Sequence, residues 1–374
     1  MANIGFDAKR AFLNFSGLGN YSRAFINSMS SYYPENMYSL FTPEYDKKNK
    51  MFDFVKRDNI EVIMPRGVDC ILPHSLWRSF GITKDIAKNE IEIFHGLSGE
   101  LPSSNFSAKK VVTMHDAIFM RYPQLYKSID RKIYEKKFAN ACKDSDKIIA
   151  ISKQTADDIM SFVGAKAEKI EIIYQSCDKI FYNSPSLEQR SQIKQKYSLP
   201  EKFILSVGTM EERKNLETIV KALPEIPQEI SLVAIGRATP YLQKVIATAK
   251  ELGVSDRIKY IHNASFGDFP AIYKQAVALI YVSIFEGFGL PVLEGITAGV
   301  PVITSNISSM PEAGGDGAIL VDPHNAKEIA GNIRELYNSS SLTNDLIKRG
   351  YLYARNFRDS EMSKHVNDLY SNLL

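Results

Sequence analysis

The chain alternates short apolar runs with longer amphipathic stretches, and it does so twice in succession. The runs of the first half are "NIGF", "MYSLF", "EVIM", "IEIF", "KVVTM", "KIIAI" and "KIEII". Those of the second half are "KFILSVG", "ISLVAIG", "IKYI", "VALIYV", "PVITS" and "AILVD". Strands that are apolar on both faces and alternate with helices favour parallel sheets covered on both sides. The pattern therefore restricts the fold to an α/β class with two sheets.

The two halves are expected to be separate domains, because 374 residues suffice for two cores. Periodicity lapses in "YQSCDKIFYNSPSLEQRS", where polar residues gather between a strand and the next helix. We predict two Rossmann-like, doubly wound parallel-sheet domains, residues 1–177 and 178–358, followed by a terminal helix over 359–374. Since open α/β sheets bind ligands at the carboxyl ends of their strands, we expect the domains to face each other across a ligand-binding cleft.

Composition indicates a soluble, reduced protein. The hydrophobic content of 44% and charged content of 24% are ordinary for a globular chain. No apolar run approaches the roughly 18 to 20 residues that span a bilayer, and "MANIGFDAKRAF" lacks the regions of a secretory signal. The three cysteines are odd in number and lack metal-ligand spacing. We therefore expect a cytoplasmic location and cysteines that serve only in packing.

Positive charge is concentrated between residues 101 and 150, where ten Lys/Arg stand against five Asp/Glu. The segment 127–147 predicts a basic helix with one apolar stripe, formed by Ile129, Ile133, Tyr134, Phe138 and Ala141. It is either a surface helix with a solvated charged face or a docking surface for anionic lipid headgroups or an anionic acceptor. Nucleic acid is not an expected partner, because the basic residues are not interleaved with exposed aromatics.

The stretch "FEGFGLPVLE" follows a predicted buried strand and begins a helix. Glycines such as Gly289 let the backbone turn sharply and approach a ligand closely. The amides of Gly289 and Leu290 then lie at a helix N-terminus, which suits an anion or a hydroxyl. Glu294 lies one turn into the helix, where a carboxylate accepts hydrogen bonds from a vicinal diol such as a ribose. Glu286, at the strand end, completes a predicted binding site, although both glutamates would also complement the helix dipole.

Two further loops suit phosphate. In "SVGTMEERKNL", Arg213 and Lys214 precede a helix and would hold a diphosphate through a bidentate fork and a point charge. In "NFSGLGNYSR", Gly17 and Gly19 form a glycine-rich turn before a helix, short of a full G-x-G-x-x-G. Both loops follow the first predicted strand of their domain.

Two histidines and an aspartate follow predicted strands: His95 in "IEIFHG", and His115 with Asp116 in "VVTMHD". Metal ligation, a polar contact to substrate and a capping role all remain open for them. Nothing fixes a third ligand at helical spacing, so no metal site is predicted.

These motifs, in this order, resemble those of a large enzyme family. The quoted stretches are joined by "ISKQTADDI", "AGVPVITSN" and "PEAGGDGAILVDP". The chain is similar over nearly its whole length to the retaining nucleotide-sugar glycosyltransferases with two Rossmann domains, the GT-B fold. Within them it is most similar to bacterial, mannosyltransferase-like members of group 1 that build surface polysaccharides. The similarity is strongest from 203 to 323 and weaker from 30 to 90, a region that in such enzymes often shapes acceptor recognition. It implies that the domain over 1–177 is the acceptor side and that the domain over 178–358 binds the donor.

The resemblance implies a donor site. Arg213 and Lys214 would hold the pyrophosphate of the donor, Gly17 would contact the distal phosphate beside Gly19, and Glu294 would bind the ribose. Two departures concern donor preference: "YQSCD" stands where many members have an Asn-Gly-Val-Asp type turn, and Thr209 replaces a frequent arginine.

The resemblance also implies a catalytic centre. Glu286 would lie beside the transferred sugar, where we expect it to position and stabilise the sugar rather than act as a nucleophile. His115 would lie near the reaction centre. The sugar hydroxyls would meet the backbone amides of Phe288, Gly289 and Leu290.

The function implied is retaining transfer of a hexose, first of all mannose, from a nucleoside diphosphate sugar. GDP-mannose is the first candidate donor and UDP-hexoses follow, with no cofactor and no metal. The acceptor would be a saccharide or a lipid-linked saccharide in lipopolysaccharide or capsule synthesis. In such enzymes the departing phosphate takes the proton of the acceptor, and the terminal helix packs back on the first domain.

Two alternatives come from other classes of protein. A nucleotide-sugar epimerase or hydrolase on the same fold would use His95, His115 and Asp116 as acid–base groups. A non-catalytic, two-lobed sugar-binding protein would share the architecture, but it has no need of a phosphate-binding cation pair.

Overall fold

The computed structural model describes residues 1–45, 52–71, 73–102 and 106–374. The chain forms two compact units, which we call unit 1 (1–175 together with 359–374) and unit 2 (176–358). The first change of unit thus lies within "YQSCD", and the second lies just before Asp359.

Unit 1 is built on a seven-stranded parallel sheet in the order β3-β2-β1-β4-β5-β6-β7. Its strands are β1 (Asn3–Asp7), β2 (Met37–Phe41), β3 (Ile60–Ile63), β4 (Ile93–Gly96), β5 (Lys109–Met114), β6 (Lys147–Ala150) and β7 (Ile170–Ile172). Its first helices are α1 (Lys9–Leu13), α2 (Gly17–Tyr32), α3 (His74–Leu76), α4 (Ile82–Lys88), α5 (Ile118–Arg121), α6 (Ser128–Asp144) and α7 (Lys153–Val163).

Unit 2 is built on a six-stranded parallel sheet in the order β10-β9-β8-β11-β12-β13. Its strands are β8 (Lys202–Val207), β9 (Ile230–Ile235), β10 (Ile258–Ile261), β11 (Ala278–Tyr281), β12 (Val302–Ser305) and β13 (Ala318–Val321). Its helices are α8 (Leu187–Tyr197), α9 (Leu216–Ala222), α10 (Tyr241–Glu251), α11 (Phe269–Tyr273), α12 (Leu290–Thr297), α13 (Met310–Gly314), α14 (Ala326–Asn338) and α15 (Ser340–Ala354). The chain then returns to unit 1 with α16 (Asp359–Ser371).

Each apolar run of the sequence is a strand, so the predicted α/β class with two parallel sheets is confirmed. In both sheets the order in which the chain adds strands reverses at the first strand. This switch point lies between β1 and β4 in unit 1 and between β8 and β11 in unit 2. Ligands of open α/β sheets bind outside the carboxyl ends of the strands at such a switch point. The loops that follow these four strands are therefore where binding sites are expected.

The basic helix α6 differs from its prediction. Phe138 and Ala141 are buried in the core of unit 1, as expected. The other half of the predicted apolar stripe is solvent-exposed: Ile129 to 74%, Ile133 to 49% and Tyr134 to 47%. The buried residues of α6 thus lie in its C-terminal half. Cys70 is also exposed, so it is not the packing residue that we expected, whereas Cys142 and Cys177 are buried.

His95 is a core residue. It is fully buried, its Nδ1 lies 2.6 Å from the Tyr370 hydroxyl, and its Nε2 lies 2.8 Å from Thr113 Oγ1. Tyr370 belongs to α16, so this network joins the last helix to the sheet of unit 1. Of the roles that the sequence left open, substrate contact and capping do not describe His95, because both ring nitrogens meet buried hydroxyls. Burial lowers the pKa of His95 to about 3, and burial lowers that of His115 to about 4.

We expect unit 1 to lose stability in mild acid. The unfolded chain takes up a proton at His95 below pH about 6.5, whereas the folded protein does so only near pH 3. The free energy of unfolding should therefore fall, by on the order of 1 kcal/mol per pH unit for this group, as the pH drops from about 6.5 towards 3.

Urea unfolding at pH 7 and pH 5 measures this loss. Trp77, the single tryptophan of the chain, is buried in unit 1, so its fluorescence reports on that unit. The His95→Gln variant should show a smaller difference between the two pH values. His365→Gln, which changes an exposed histidine on α16, should behave as the parent does. An unchanged pH dependence in His95→Gln would contradict the expectation.

Candidate active site

The candidate site lies at the switch point of unit 2, on the loops after β8 and β11. After β8 the chain forms a 3-10 turn over Glu212–Lys214, and Asn215 follows with a φ of 60° before α9. The buried Asn215 side chain donates hydrogen bonds to the carbonyls of Val282 at 3.0 Å and Pro323 at 2.7 Å. These bonds fix the cation-bearing turn to the segments that directly follow β11 and β13.

Glu286 lies between the two predicted cations. Its Oε2 is 2.5 Å from Arg213 Nη1, and its Oε1 is 2.6 Å from Lys214 Nζ. The Arg213 side chain also contacts Glu211, whose Oε1 is 2.6 Å from Nη2. The structure thus brings together Arg213, Lys214 and Glu286, three of the residues selected from sequence.

The charged side chains of Glu286 and Lys214 lie in a largely buried environment. Glu286 is only 9% exposed. Burial by itself would raise its pKa, but the adjacent cations Lys214 and Arg213 prevail and lower it to about 2. Glu286 is therefore ionised at neutral pH. Burial disfavours the charged form of Lys214, and although Glu286 counteracts this effect, the pKa of Lys214 is lowered.

Two buried hydroxyls complete the cluster. Tyr281 accepts a hydrogen bond from Lys214 Nζ at 2.5 Å and donates one to Glu286 Oε1 at 3.0 Å. Ser283 donates to the same Glu286 oxygen at 2.6 Å. Sequence reasoning missed both residues, because they fall inside or directly after an apolar strand. The feature that could have identified them is their position at the carboxyl end of β11, close to Glu286 in sequence.

Gly289 shapes the turn that follows. It has a φ of +119°, and a Cβ there would lie 2.6 Å from the Met310 methyl carbon. The turn therefore requires glycine, and α12 begins directly after it at Leu290. The first amides of a helix have no partner within the helix, which suits the predicted contact of the Leu290 amide with a sugar hydroxyl. The predicted contacts of the Phe288 and Gly289 amides stay predictions.

Glu294 makes a different set of contacts from Glu286. Its Oε2 accepts a hydrogen bond from Tyr273 at 2.9 Å. Burial raises the pKa of Glu294 to about 7; the Tyr273 bond opposes the increase and Asp178 adds to it. Arg213 and Lys214 form their ion pairs with Glu286, whereas Glu294 accepts its side-chain hydrogen bond from Tyr273. The ribose-binding role of Glu294 stays a prediction.

The remaining predicted residues lie in unit 1. A Cβ on Gly17 would meet nothing within 4 Å, whereas one on Gly19 would lie 1.7 Å from the Asn14 carbonyl oxygen. Gly19 is thus required by packing, and its amide donates to Asn14 Oδ1 at 3.3 Å. The half-buried His115 has its Nε2 2.9 Å from the Leu97 carbonyl oxygen. Asp116 Oδ1 accepts a hydrogen bond at 3.1 Å from the amide of Ile118, the first residue of α5.

Comparison with known families identifies the reaction class. Residues 188–353 match the family model of glycosyl transferases group 1, and residues 38–179 match that of glycosyltransferase family 4. The chain is therefore a glycosyltransferase with a group 1 domain over residues 188–353. A transferase is thus favoured over the epimerase, hydrolase and non-catalytic alternatives.

Three curated relatives of this glycosyltransferase are named as mannosyltransferases. The O-antigen chain mannosyltransferase B of Escherichia coli is 29% identical over 71% of this chain and 70% of the relative. The O-antigen chain mannosyltransferase RfbU of Salmonella typhimurium is 28% identical over 64% of this chain and 65% of the relative. The serotype-specific mannosyltransferase WbdA of Escherichia coli is 29% identical over 64% of this chain, but the match spans only 31% of WbdA.

Solved glycosyltransferase structures share the fold. A glycosyltransferase from Rickettsia africae matches with a TM-score of 0.77 and 18% identity, over 100% of this chain and 98% of that one. Anabaena HepE in complex with UDP and glucose matches with a TM-score of 0.73 and 17% identity, over 100% of both chains. The GT-B fold predicted for this glycosyltransferase is thereby confirmed.

Proposed function

We propose that the protein transfers mannose from GDP-mannose to a saccharide or lipid-linked saccharide acceptor, with retention of configuration and without a divalent metal. The observation that carries this proposal is the pair of cations around an ionised carboxylate at the switch point of unit 2. The names of the relatives support mannose and O-antigen synthesis.

The cation pair suits the leaving group. When the glycosidic bond to phosphate breaks, negative charge grows on the departing diphosphate while the sugar carbon gains oxocarbenium character. Arg213 and Lys214 are held by Glu286, Tyr281 and the anchored turn, so they need little reorganisation to stabilise that charge. Preorganised electrostatic stabilisation of this type usually contributes more to catalysis than any other single effect.

Glu286 then has two tasks. Without donor, its carboxylate neutralises both cations, so an incoming pyrophosphate must compete with it for them. When the pyrophosphate takes over part of the contact with the cations, the Glu286 carboxylate is partly released. It can then stabilise the positive charge that develops on the sugar ring beside it. The acceptor hydroxyl attacks the sugar carbon from the face that the diphosphate leaves, and the departing phosphate takes the proton of that hydroxyl. The scheme therefore needs neither a protein nucleophile nor a protein base.

A panel of nucleotide sugars tests the donor. Thermal unfolding is followed with GDP-mannose, UDP-glucose, UDP-galactose and UDP-N-acetylglucosamine, since a ligand at 100 times its dissociation constant stabilises by about 2.7 kcal/mol. GDP-mannose should give the largest shift, and EDTA should leave transfer unchanged. NMR of the product gives the anomeric configuration. A larger shift with a UDP-sugar, loss of transfer in EDTA or an inverted product would each overturn the corresponding part of the proposal.

We further propose that the protein is cytoplasmic and contacts the inner face of the cytoplasmic membrane through α6. Among the described residues, the helices are too short or too polar to cross a bilayer. The exposed Ile129, Ile133 and Tyr134 lie among exposed lysines of the same helix, which include Lys132 and Lys136. Apolar side chains beside basic ones suit an interface with anionic lipids, where each basic residue contributes about 1 kcal/mol.

Co-sedimentation with vesicles tests this contact. The parent protein should bind vesicles of phosphatidylcholine and phosphatidylglycerol, and binding should fall at least about tenfold in the double variant Lys132→Glu/Lys136→Glu. The control Lys327→Glu/Lys348→Glu changes two exposed lysines of unit 2 and has the same net charge. Equal loss in both double variants would show a general charge effect and contradict the assignment to α6.

A further inference from the structure

A buried tyrosine of unit 2 contacts one of the candidate donor-binding residues. Tyr273, the last residue of α11, is fully buried, and its hydroxyl donates the 2.9 Å hydrogen bond to Glu294 Oε2. Its ring packs edge-on against Phe181 and Phe269, at centroid distances of 5.4 Å and 6.2 Å. Because these rings hold the tyrosine in place, its hydroxyl has a defined position beside the carboxylate.

Packing alone does not explain this pairing. A buried tyrosine hydroxyl needs a hydrogen-bond partner, but a backbone carbonyl is sufficient. Tyr38, which is buried in unit 1, donates to the Met29 carbonyl at 3.0 Å. Tyr273 instead meets the half-buried carboxylate of Glu294, which is costly to remove from water. Among the described residues, no cationic side chain offsets that cost, and a costly ionisable group of this kind is typical of a functional site.

The hydrogen bond has two effects on Glu294. It holds Oε2 in place and leaves the remaining acceptor positions of the carboxylate for a ligand. It also favours the charged form: burial raises the pKa of Glu294 to about 7 and Asp178 adds to the increase, whereas the Tyr273 bond opposes it. An ionised carboxylate only accepts hydrogen bonds, so it is the form that suits two donating hydroxyls of a vicinal diol.

We propose that Tyr273 is a positioning residue for nucleotide binding, because its hydroxyl holds the Glu294 carboxylate ready to accept hydrogen bonds from the two ribose hydroxyls. The assignment rests on the proposed function, since a ribose enters the site only as part of a nucleotide donor. Tyr273 is fully buried, so it acts through Glu294 rather than by touching the nucleotide.

Calorimetry with GDP and 2′,3′-dideoxy-GDP tests the assignment. The two ligands carry the same base and the same diphosphate, so the ratio of their affinities isolates the contribution of the ribose hydroxyls. We expect the parent protein to prefer GDP. Tyr273→Phe removes only the hydroxyl of the side chain, and it should reduce this preference about tenfold, because hydrogen bonds to charged groups are the strong ones.

The pH dependence of the same ratio gives a second readout. In the parent, the preference for GDP should increase as the pH rises from about 6 to about 8.5, since Glu294 ionises near pH 7. Without the Tyr273 bond the pKa of Glu294 is higher, so the increase should move to higher pH in Tyr273→Phe. The other titratable groups near Glu294 are Asp178, Cys177 and Tyr281. Burial raises the pKa values of Cys177 and Tyr281 above this range, so neither changes its charge during the measurement.

Tyr197→Phe is the matched control. Tyr197 also donates to a carboxylate of unit 2, Asp268 Oδ2 at 2.6 Å, on the turn directly before α11. A role of Tyr273 in merely anchoring α11 would predict similar losses in both variants, whereas we expect Tyr197→Phe to behave as the parent does. In a double-mutant cycle, Tyr273→Phe should have no further effect once Glu294→Gln has removed the carboxylate charge. Thermal unfolding verifies that each variant is folded.

Three results would overturn the proposal: equal preference for GDP in the parent and Tyr273→Phe, equal loss in Tyr197→Phe, or a loss that persists in the Glu294→Gln background. UDP and 2′,3′-dideoxy-UDP are measured in parallel to separate this proposal from the proposed function. If the parent binds UDP in place of GDP, the proposed donor is wrong and the UDP pair tests Tyr273 in the same way. If the parent binds GDP and its dideoxy analogue equally, the role of Tyr273 is wrong, whereas donor binding stands.

Discussion

Replacing Lys214 with alanine is expected to lower the rate of sugar transfer about 10²- to 10³-fold. Lys214 Nζ lies 2.6 Å from Glu286 and 2.5 Å from the Tyr281 hydroxyl, inside a largely buried cluster. Its charge is therefore weakly screened and directed at the position proposed for the diphosphate. Release of GDP from GDP-mannose in the presence of acceptor measures the rate, and calorimetry measures GDP affinity.

Lys221→Ala is the control for this change. Lys221 is also paired with a glutamate, Glu217 at 2.7 Å, but it is 50% exposed on α9. Exposed pairs contribute only about 0–1 kcal/mol, so its rate should stay close to that of the parent. A Lys214→Ala protein that folds and transfers sugar at the rate of Lys221→Ala would disprove the role of the cation pair.

Replacing Glu286 with glutamine should change binding and turnover in opposite directions. In the parent protein, the Glu286 carboxylate neutralises Arg213 and Lys214, so GDP has to displace it. Removing its charge leaves two cations without this partner, and we expect GDP to bind about tenfold or more tightly, because a close buried charge pair is worth several kcal/mol. Turnover should nonetheless fall about 10²-fold or more, since the charge that stabilises the developing oxocarbenium ion is lost.

The control is Glu211→Gln, which removes the other carboxylate on Arg213. The Glu211 side chain is 37% exposed, and its carboxylate pairs with Arg213 at 2.6 Å. Turnover should remain within about fivefold of the parent. Thermal unfolding with and without GDP verifies that Glu286→Gln is folded. Turnover near that of the parent in Glu286→Gln would contradict the stabilising role of the carboxylate.

The sheets could be predicted from sequence because parallel strands buried on both faces leave continuous apolar runs. "MYSLF" and "IKYI" coincide with β2 and β10 residue for residue. The order of the strands was accessible only through the resemblance, because apolar periodicity does not encode which strands are neighbours.

The candidate site could be predicted in part. Arg213, Lys214 and Glu286 stood out as charged residues directly after apolar runs, and the structure places them in contact. Tyr281 and Ser283 were not predicted, because the sequence alone does not distinguish a functional polar residue in or directly after a buried strand from any other residue there.

His95 was wrongly considered a candidate functional residue, because the partner of its side chain is remote in sequence. A histidine at a strand end resembles a ligand-binding residue until the partner of its ring is known. That partner is Tyr370, 275 positions further along the chain. The ion pairs of Arg78 with Asp7 and Glu100 could not be predicted for the same reason, since the three residues come from separate segments of the chain.

The position of α16 has a consequence for synthesis on the ribosome. Met362, Val366, Leu369 and Tyr370 of this helix belong to the hydrophobic core that β1 and α2 begin. The ribosome must therefore translate residues 176–358 before the first unit can close its core. The second unit is contiguous in sequence, and domains generally fold as units during synthesis. Order of emergence and order of folding are thus reversed: the part of the chain made first is the part that matures last.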